Sequence, residues 1–133
     1  MDVRMLVPKD KFDVSGISAL KQLTNEQILP IVPELLEWVQ DGNWPVAEPL
    51  FPVLAQFHQV VMPEVKRLLQ ASQTDCGWKY WLVFGLLPLL PNESVEVIFE
   101  DIERIAECPT ENEILECVQE AAMDYLALRG KQP

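Results

Sequence analysis

Asp41-Gly42-Asn43-Trp44 recurs 34 residues later as Asp75-Cys76-Gly77-Trp78. Each copy follows a segment with a Leu-Leu pair, Leu35-Leu36 in one case and Leu68-Leu69 in the other, and each precedes a strongly apolar segment. The same step taken again lands on Pro109, at the head of the last apolar segment. A period of this length marks helical pairs stacked in series, because each pair leaves an apolar face that only its neighbour can cover. Three pairs follow, roughly 25–57, 60–90 and 92–129. An accidental match of the two Asp-x-x-Trp turns would leave an irregular helical bundle instead.

Outward from the first turn the periodicity is helical throughout. Ile28, Ile31, Val32, Leu35, Leu36 and Val39 recur at three- and four-residue steps with Glu34, Glu37 and Asp41 opposite, so one face must be buried. Thr24 and Gln27 form a capping box at its start. Asn43 to Phe57 is apolar nearly all round and belongs inside a stack. Asn43 is expected to cap it, Pro45 to sit in its first turn, and Pro49 and Pro52 to bend it. Pro63 is expected to open a shorter helix running to Ala71, and Asp75 to cap the next. After an Asn92 cap, Val95, Ile98, Phe99, Ile102, Ile105 and Ala106 form an apolar stripe that Pro109 ends. Thr110-Glu-Asn-Glu113 is a second capping box, and Ile114, Leu115, Val118, Ala121, Ala122, Tyr125 and Leu126 are expected to face inward beyond it. Residues 1–14, with Pro8 among alternating charges, suit an extended arm. The expected fold is all-α: a single domain over residues 1–133, built as a short right-handed α-α superhelix of about three hairpins preceded by the arm.

Composition sets bounds on function. The chain has 133 residues, 49% of them apolar, enough for a core without disulfide or metal staples. Its net charge of −11 argues against nucleic acid as a partner, since a phosphate backbone would be repelled. Cys76, Cys108 and Cys117 are odd in number and lack Cys-x-x-Cys spacing, and His58 is the sole histidine, so neither a disulfide framework nor a metal site is indicated. A reducing cytoplasm is the expected location. The apolar run Tyr80–Leu90 is shorter than the ~20 residues that cross a bilayer, and no membrane role is expected.

Residues 29–57, LPIVPELLEWVQDGNWPVAEPLFPVLAQF, resemble a HEAT-type repeat. Leu6-Val-Pro-Lys-Asp10, Leu35–Ala47, Trp78-Lys-Tyr-Trp-Leu82 and Pro109-Thr-Glu-Asn-Glu113 together resemble a family of small bacterial HEAT-like proteins known as a domain of unknown function. Its signature is Asp-x-Asn-Trp-Pro-Val-Ala, here residues 41–47. The resemblance implies a HEAT-like superhelix and supplies no reaction. Ala47 stands where HEAT repeats often carry an Arg facing the turn Asp, so an Asp–Arg ladder is not implied.

No group of residues in the sequence calls for catalysis or a cofactor. His58 has no Ser or Cys placed beside it, and the five glycines are too scattered for a phosphate loop. Trp44 and Trp78, with Asp41 and Asp75, are candidates to rim a ligand cleft. Large aromatics at equivalent turns are more simply packing wedges, and the aspartates helix caps. Charge is the feature that stands out: residues 92–128 hold eleven carboxylates against Arg104 alone, a formal charge of −10. Glu96, Glu100, Glu103, Glu107, Glu113, Glu116 and Glu120 are the candidate docking residues for a protein partner of basic character. Solubility alone would also account for them. The expected function is therefore a non-enzymatic protein-interaction module. An antidote that occludes a basic toxin enzyme is one alternative, and a small-ligand or minor enzymatic role near the turn tryptophans is another.

Overall fold

Both capping boxes form. Thr24 Oγ1 accepts from the Gln27 N–H at 3.2 Å while Gln27 Oε1 accepts from the Thr24 N–H at 2.9 Å. Thr110 and Glu113 repeat the exchange at 3.1 and 2.8 Å. Each box satisfies backbone donors that a helix start leaves without an intrahelical partner. The computed structural model describes residues 2–130; Met1, at the head of the expected arm, and residues 131–133, at the end of the expected domain, lie outside the described residues. Among the described residues every regular element is helical and none is a strand, so the chain is all-α.

The α-helical segments are α1 (Ile17–Leu20), α2 (Asn25–Ile28), α3 (Val32–Glu37), α4 (Ala47–Gln56), α5 (His58–Gln70), α6 (Cys76–Trp81), α7 (Asn92–Val95), α8 (Phe99–Glu107), α9 (Glu111–Leu115) and α10 (Val118–Gly130). Short 3-10 turns link several of them, and a π turn, Leu82–Leu86, continues α6. There the Leu87 N–H reaches five residues back to the Leu82 carbonyl, and Pro88 has no N–H with which to resume the ladder.

Contacts sort the segments into two layers. α3, α5 and the α7–α8 stretch, the first members of the three expected pairs, neighbour one another in that order. The second members, α4, α6 with its π turn, and α10, do the same, while α4 packs on α5 and α8 on α10 across the layers. Four of the long-range polar bonds join positions about one sequence period apart: Asn25–Gln59 and Lys79–Glu113 each span 34 residues, Lys66–Asp101 spans 35 and His58–Ser94 spans 36. Between the layers lie fully buried aliphatic side chains such as Ile31, Leu35, Leu54, Leu69, Leu86 and Ile98. Each contributes about 1.5–3 kcal/mol by leaving water.

Two glycines are required for room rather than for turn geometry, since no described glycine has a positive φ. A Cβ on Gly42 would lie 2.2 Å from the Trp81 ring, and one on Gly85 would lie 2.5 Å from the Phe51 ring. The first Asp-x-x-Trp turn is thus covered by an indole of the second pair, and the π turn rests on α4.

Several expectations are corrected. The arm is not extended throughout: Asp2 accepts from the Arg4 N–H and starts a 3-10 turn over Val3–Leu6. An Arg4–Glu34 ion pair and the bond from the Val46 N–H to the Lys11 carbonyl tie the arm to the first helical pair. Asn43 caps nothing, because Asp41 holds the Asn43 N–H in a local turn and α4 begins only at Ala47. Pro63 lies inside α5 rather than opening it, whereas Pro52 lies inside α4 as expected. Both are exposed, as are Gln59 and Glu48 one turn earlier, so the carbonyls they leave unbonded can meet water. Asn92 is the first residue of α7, with Pro91 in the cap position. The last helix is divided: Cys117 adopts a φ of 65° between α9 and α10. Glu113 takes the inward position of α9, so Ile114 and Leu115, expected inside, are 52% and 68% exposed.

These contacts predict the outcome of three substitutions, each measurable by urea unfolding. Gly85→Ala drives a methyl into Phe51 and should cost about 1–3 kcal/mol. Cys117→Gly should add about 0.5–1 kcal/mol by removing a left-handed non-glycine residue, whereas Cys117→Val should cost about 1–2 kcal/mol.

Candidate functional site

α8 begins with Phe99 and carries its acidic residues opposite the buried side chains of Ile102 and Ile105. With the preceding 3-10 turn this places Glu96, Glu100, Glu103 and Glu107 along one side at steps of three and four. Glu96, Glu100 and Glu107 are exposed and Glu103 half-buried; Glu116 beyond α9 and Glu120 on α10 are exposed as well. None of these forms an ion pair with a described residue.

Glu113 is the exception and a correction, because it is completely buried and not part of any surface. Its carboxylate accepts both terminal nitrogens of Arg104 at 2.7 Å, Lys79 Nζ at 3.2 Å and the Thr110 N–H at 2.8 Å. Burial by itself would raise this carboxyl's pKa. The Arg104 guanidinium, the Thr110 N–H and the Lys79 ammonium outweigh it and hold the group down at about 2. Arg104 is raised in turn by its bond to Glu113. Lys79 is itself buried, so the ammonium has exchanged water for this carboxylate. Asp101 is likewise engaged, by Lys66 at 2.8 Å and by Gln70 at 3.1 Å, both from α5. The one cation among residues 92–128 is therefore bound to Glu113, and apart from Glu113 and Asp101 the acidic residues of that stretch named above form no ion pair with a described residue.

The turn residues play separate parts. Trp44 packs edge to face on Trp38 with ring centroids 5.9 Å apart, and Trp44 and Trp78 both lie against the core. Asp75 caps α6 by accepting from the Gly77 and Trp78 N–H groups. It also borders a polar cleft of about 500 Å³ between the α5–α6 loop and the start of α9, lined in addition by Cys76, Lys79, Thr110 and Glu116. Neither Asp41, Trp44 nor Trp78 lines that cleft, so it is not the tryptophan-rimmed site anticipated from the repeat. Burial pushes the Cys76 thiol up, with Lys79 opposing, which makes it a weak nucleophile at neutral pH.

One pairing was invisible in the sequence. His58 Nδ1 and Ser94 Oγ share a hydrogen bond of 2.6 Å, joining the start of α5 to α7. Such a pair is the beginning of a nucleophile–base unit, which also needs a group to orient the imidazole. Among the described residues no carboxylate hydrogen-bonds the ring, and Ser94 is buried. The pair works as a tie between neighbouring helical units. Only its 36-residue separation, close to the repeat period, could have hinted at it.

Glu113→Gln should lower stability by about 2–4 kcal/mol at pH 7, since it leaves the buried Lys79 and the Arg104 fork without their counter-charge. The folded-state pKa of Glu113 lies below its ordinary value of 4.5, so its contribution is complete above that pH and is lost as pH falls towards 2. Urea titrations at pH 7, 4.5 and 3 should show the gap between wild type and variant narrowing in that order.

No curated protein matches the chain. The family described as "Domain of unknown function (DUF5071)" matches residues 6–126, from the end of the N-terminal 3-10 turn to the inner part of α10. That span takes in both layers, the Glu113 cluster and the acidic side of α8, and the chain belongs to the DUF5071 family.

Proposed function

We propose that this chain is a short HEAT-like superhelix that serves in the cytoplasm as a non-catalytic interaction module and docks a basic protein through its acidic C-terminal third. The superhelical part of the proposal draws on the two layers of helices and on side-chain bonds repeating every 34–36 residues. The turn over residues 41–47, with its Asp-x-Asn-Trp-Pro-Val-Ala signature, would be the mark of the family's first hairpin.

One observation carries the docking part: a formal charge of −10 lies between residues 92 and 128, and the only cation there is bound to a buried carboxylate. Carboxylates at three- and four-residue steps repel one another by a few tenths of a kcal/mol per pair, so the row lowers stability slightly. In exchange it creates a field that draws a positively charged surface and speeds its encounter, with an effect that fades as salt screens it. Nucleic acid would be repelled by the same field.

The test is to immobilise the protein, load lysate of its own host at low salt and elute along a salt gradient. A basic protein should leave at moderate salt and should no longer be retained by the variant Glu96→Gln, Glu100→Gln, Glu103→Gln, Glu107→Gln. Retention unchanged by that variant would remove the α8 face as the docking surface.

A further inference from the structure

Phe84 lies on the π turn and is 56% exposed, while its neighbour Val83 is buried. The ring is not loose. It stacks on Tyr80 with centroids 5.3 Å apart and planes 15° from parallel, and meets Trp81 edge to face at 5.7 Å. Two hollows flank it where the π turn meets α10. One, of about 230 Å³, lies between Tyr80, Phe84 and the first turns of α10. The other, of about 140 Å³, lies between Phe84, Pro88 and Leu128, a residue that is itself 55% exposed. Asp124 borders both hollows and Glu120 the first, and neither carboxylate forms an ion pair with a described residue.

We propose that this groove seats a helical segment of the partner that carries one large apolar side chain for each hollow and Lys or Arg opposite Glu120 and Asp124. The proposal rests on the reading of the partner as basic and adds where its apolar anchors go. Exposed, rigidly held aromatic surface beside two depressions is what an amphipathic helix uses for affinity, while the charges around it select the partner. The sign of the rim chooses among occupants. A second copy of this chain, itself at −11, or an anionic membrane would bring like charge to Glu120 and Asp124. A basic amphipathic segment brings the opposite charge and covers Phe84 and Leu128 together.

The experiment is selection of displayed random 16-residue peptides on the intact protein, followed by NMR mapping and titration of the selected peptide. Expected is a consensus with two or three large apolar residues at helical spacing among Lys and Arg, with shifts centred on Tyr80, Phe84, Ala121 and Leu128. Phe84→Ala should weaken the peptide tenfold or more, and Asp124→Asn should weaken it several-fold and flatten its salt dependence. Both positions face solvent, and an otherwise unchanged amide spectrum establishes that each variant is folded. A basic consensus whose shifts fall on the α8 glutamates would overturn the groove and leave the basic-partner reading standing. A consensus without basic residues would sink the amphipathic basic helix as occupant, and the salt-gradient retention experiment would decide the basic-partner reading separately. Failure to enrich any peptide that perturbs Phe84 overturns the groove, while the salt-gradient retention experiment still decides the broader reading.

Discussion

The helices of this chain bury their apolar faces in one shared core. Leu50 and Leu54 of α4, Leu69 of α5, Leu86 of the π turn, Ile98 just before α8, and Ile102 and Ile105 of α8 are all buried in the same apolar cluster. Hydrophobic stabilisation in such an array comes from interfaces between units as much as from within them. The polar bonds serve the same end. Asn25–Gln59, His58–Ser94, Lys66–Asp101 and Lys79–Glu113 each cross from one unit to the next and set its register.

That arrangement explains how a domain with so much negative charge at one end stays folded. Removing a carboxylate from water is costly, yet Glu113 is completely buried, because it receives a guanidinium fork, an ammonium and a backbone N–H at once. Its capping role and its ionic role are the same contact, so the third pair is fastened to the second at the place where α9 begins. Asp101 is paired with Lys66, while Glu100 and Glu107 of α8 and Glu120 and Asp124 of α10 remain exposed, where mutual repulsion is small. The outer face of the C-terminal third is thereby left acidic, and the π turn beside α10 adds an aromatic projection at its edge.

What could be read from the chain and what could not divide by range. Capping boxes at Thr24 and Thr110 were legible because each involves residues three apart, whose meeting needs one turn of helix and nothing else. The apolar stripe of α8 was legible for the same reason. Glu113 was misjudged as surface, since the local pattern that makes it a capping residue says nothing of Lys79, 34 positions earlier. The inward phase assigned to Ile114 and Leu115 failed because an unbroken helix was assumed across Cys117, whose left-handed backbone resets the face.

By itself, then, the sequence determined an all-helical chain, its two capping boxes and an acidic C-terminal third, because helix periodicity, capping and net charge are sums over near neighbours. Only the tertiary structure decided which carboxylate goes inside, that Ser94 meets His58, and that Phe84 stands out between two hollows. Those outcomes depend on which side chains from units about 34 residues apart arrive in the same space, and the burial cost of each group is settled only by the partners it finds there.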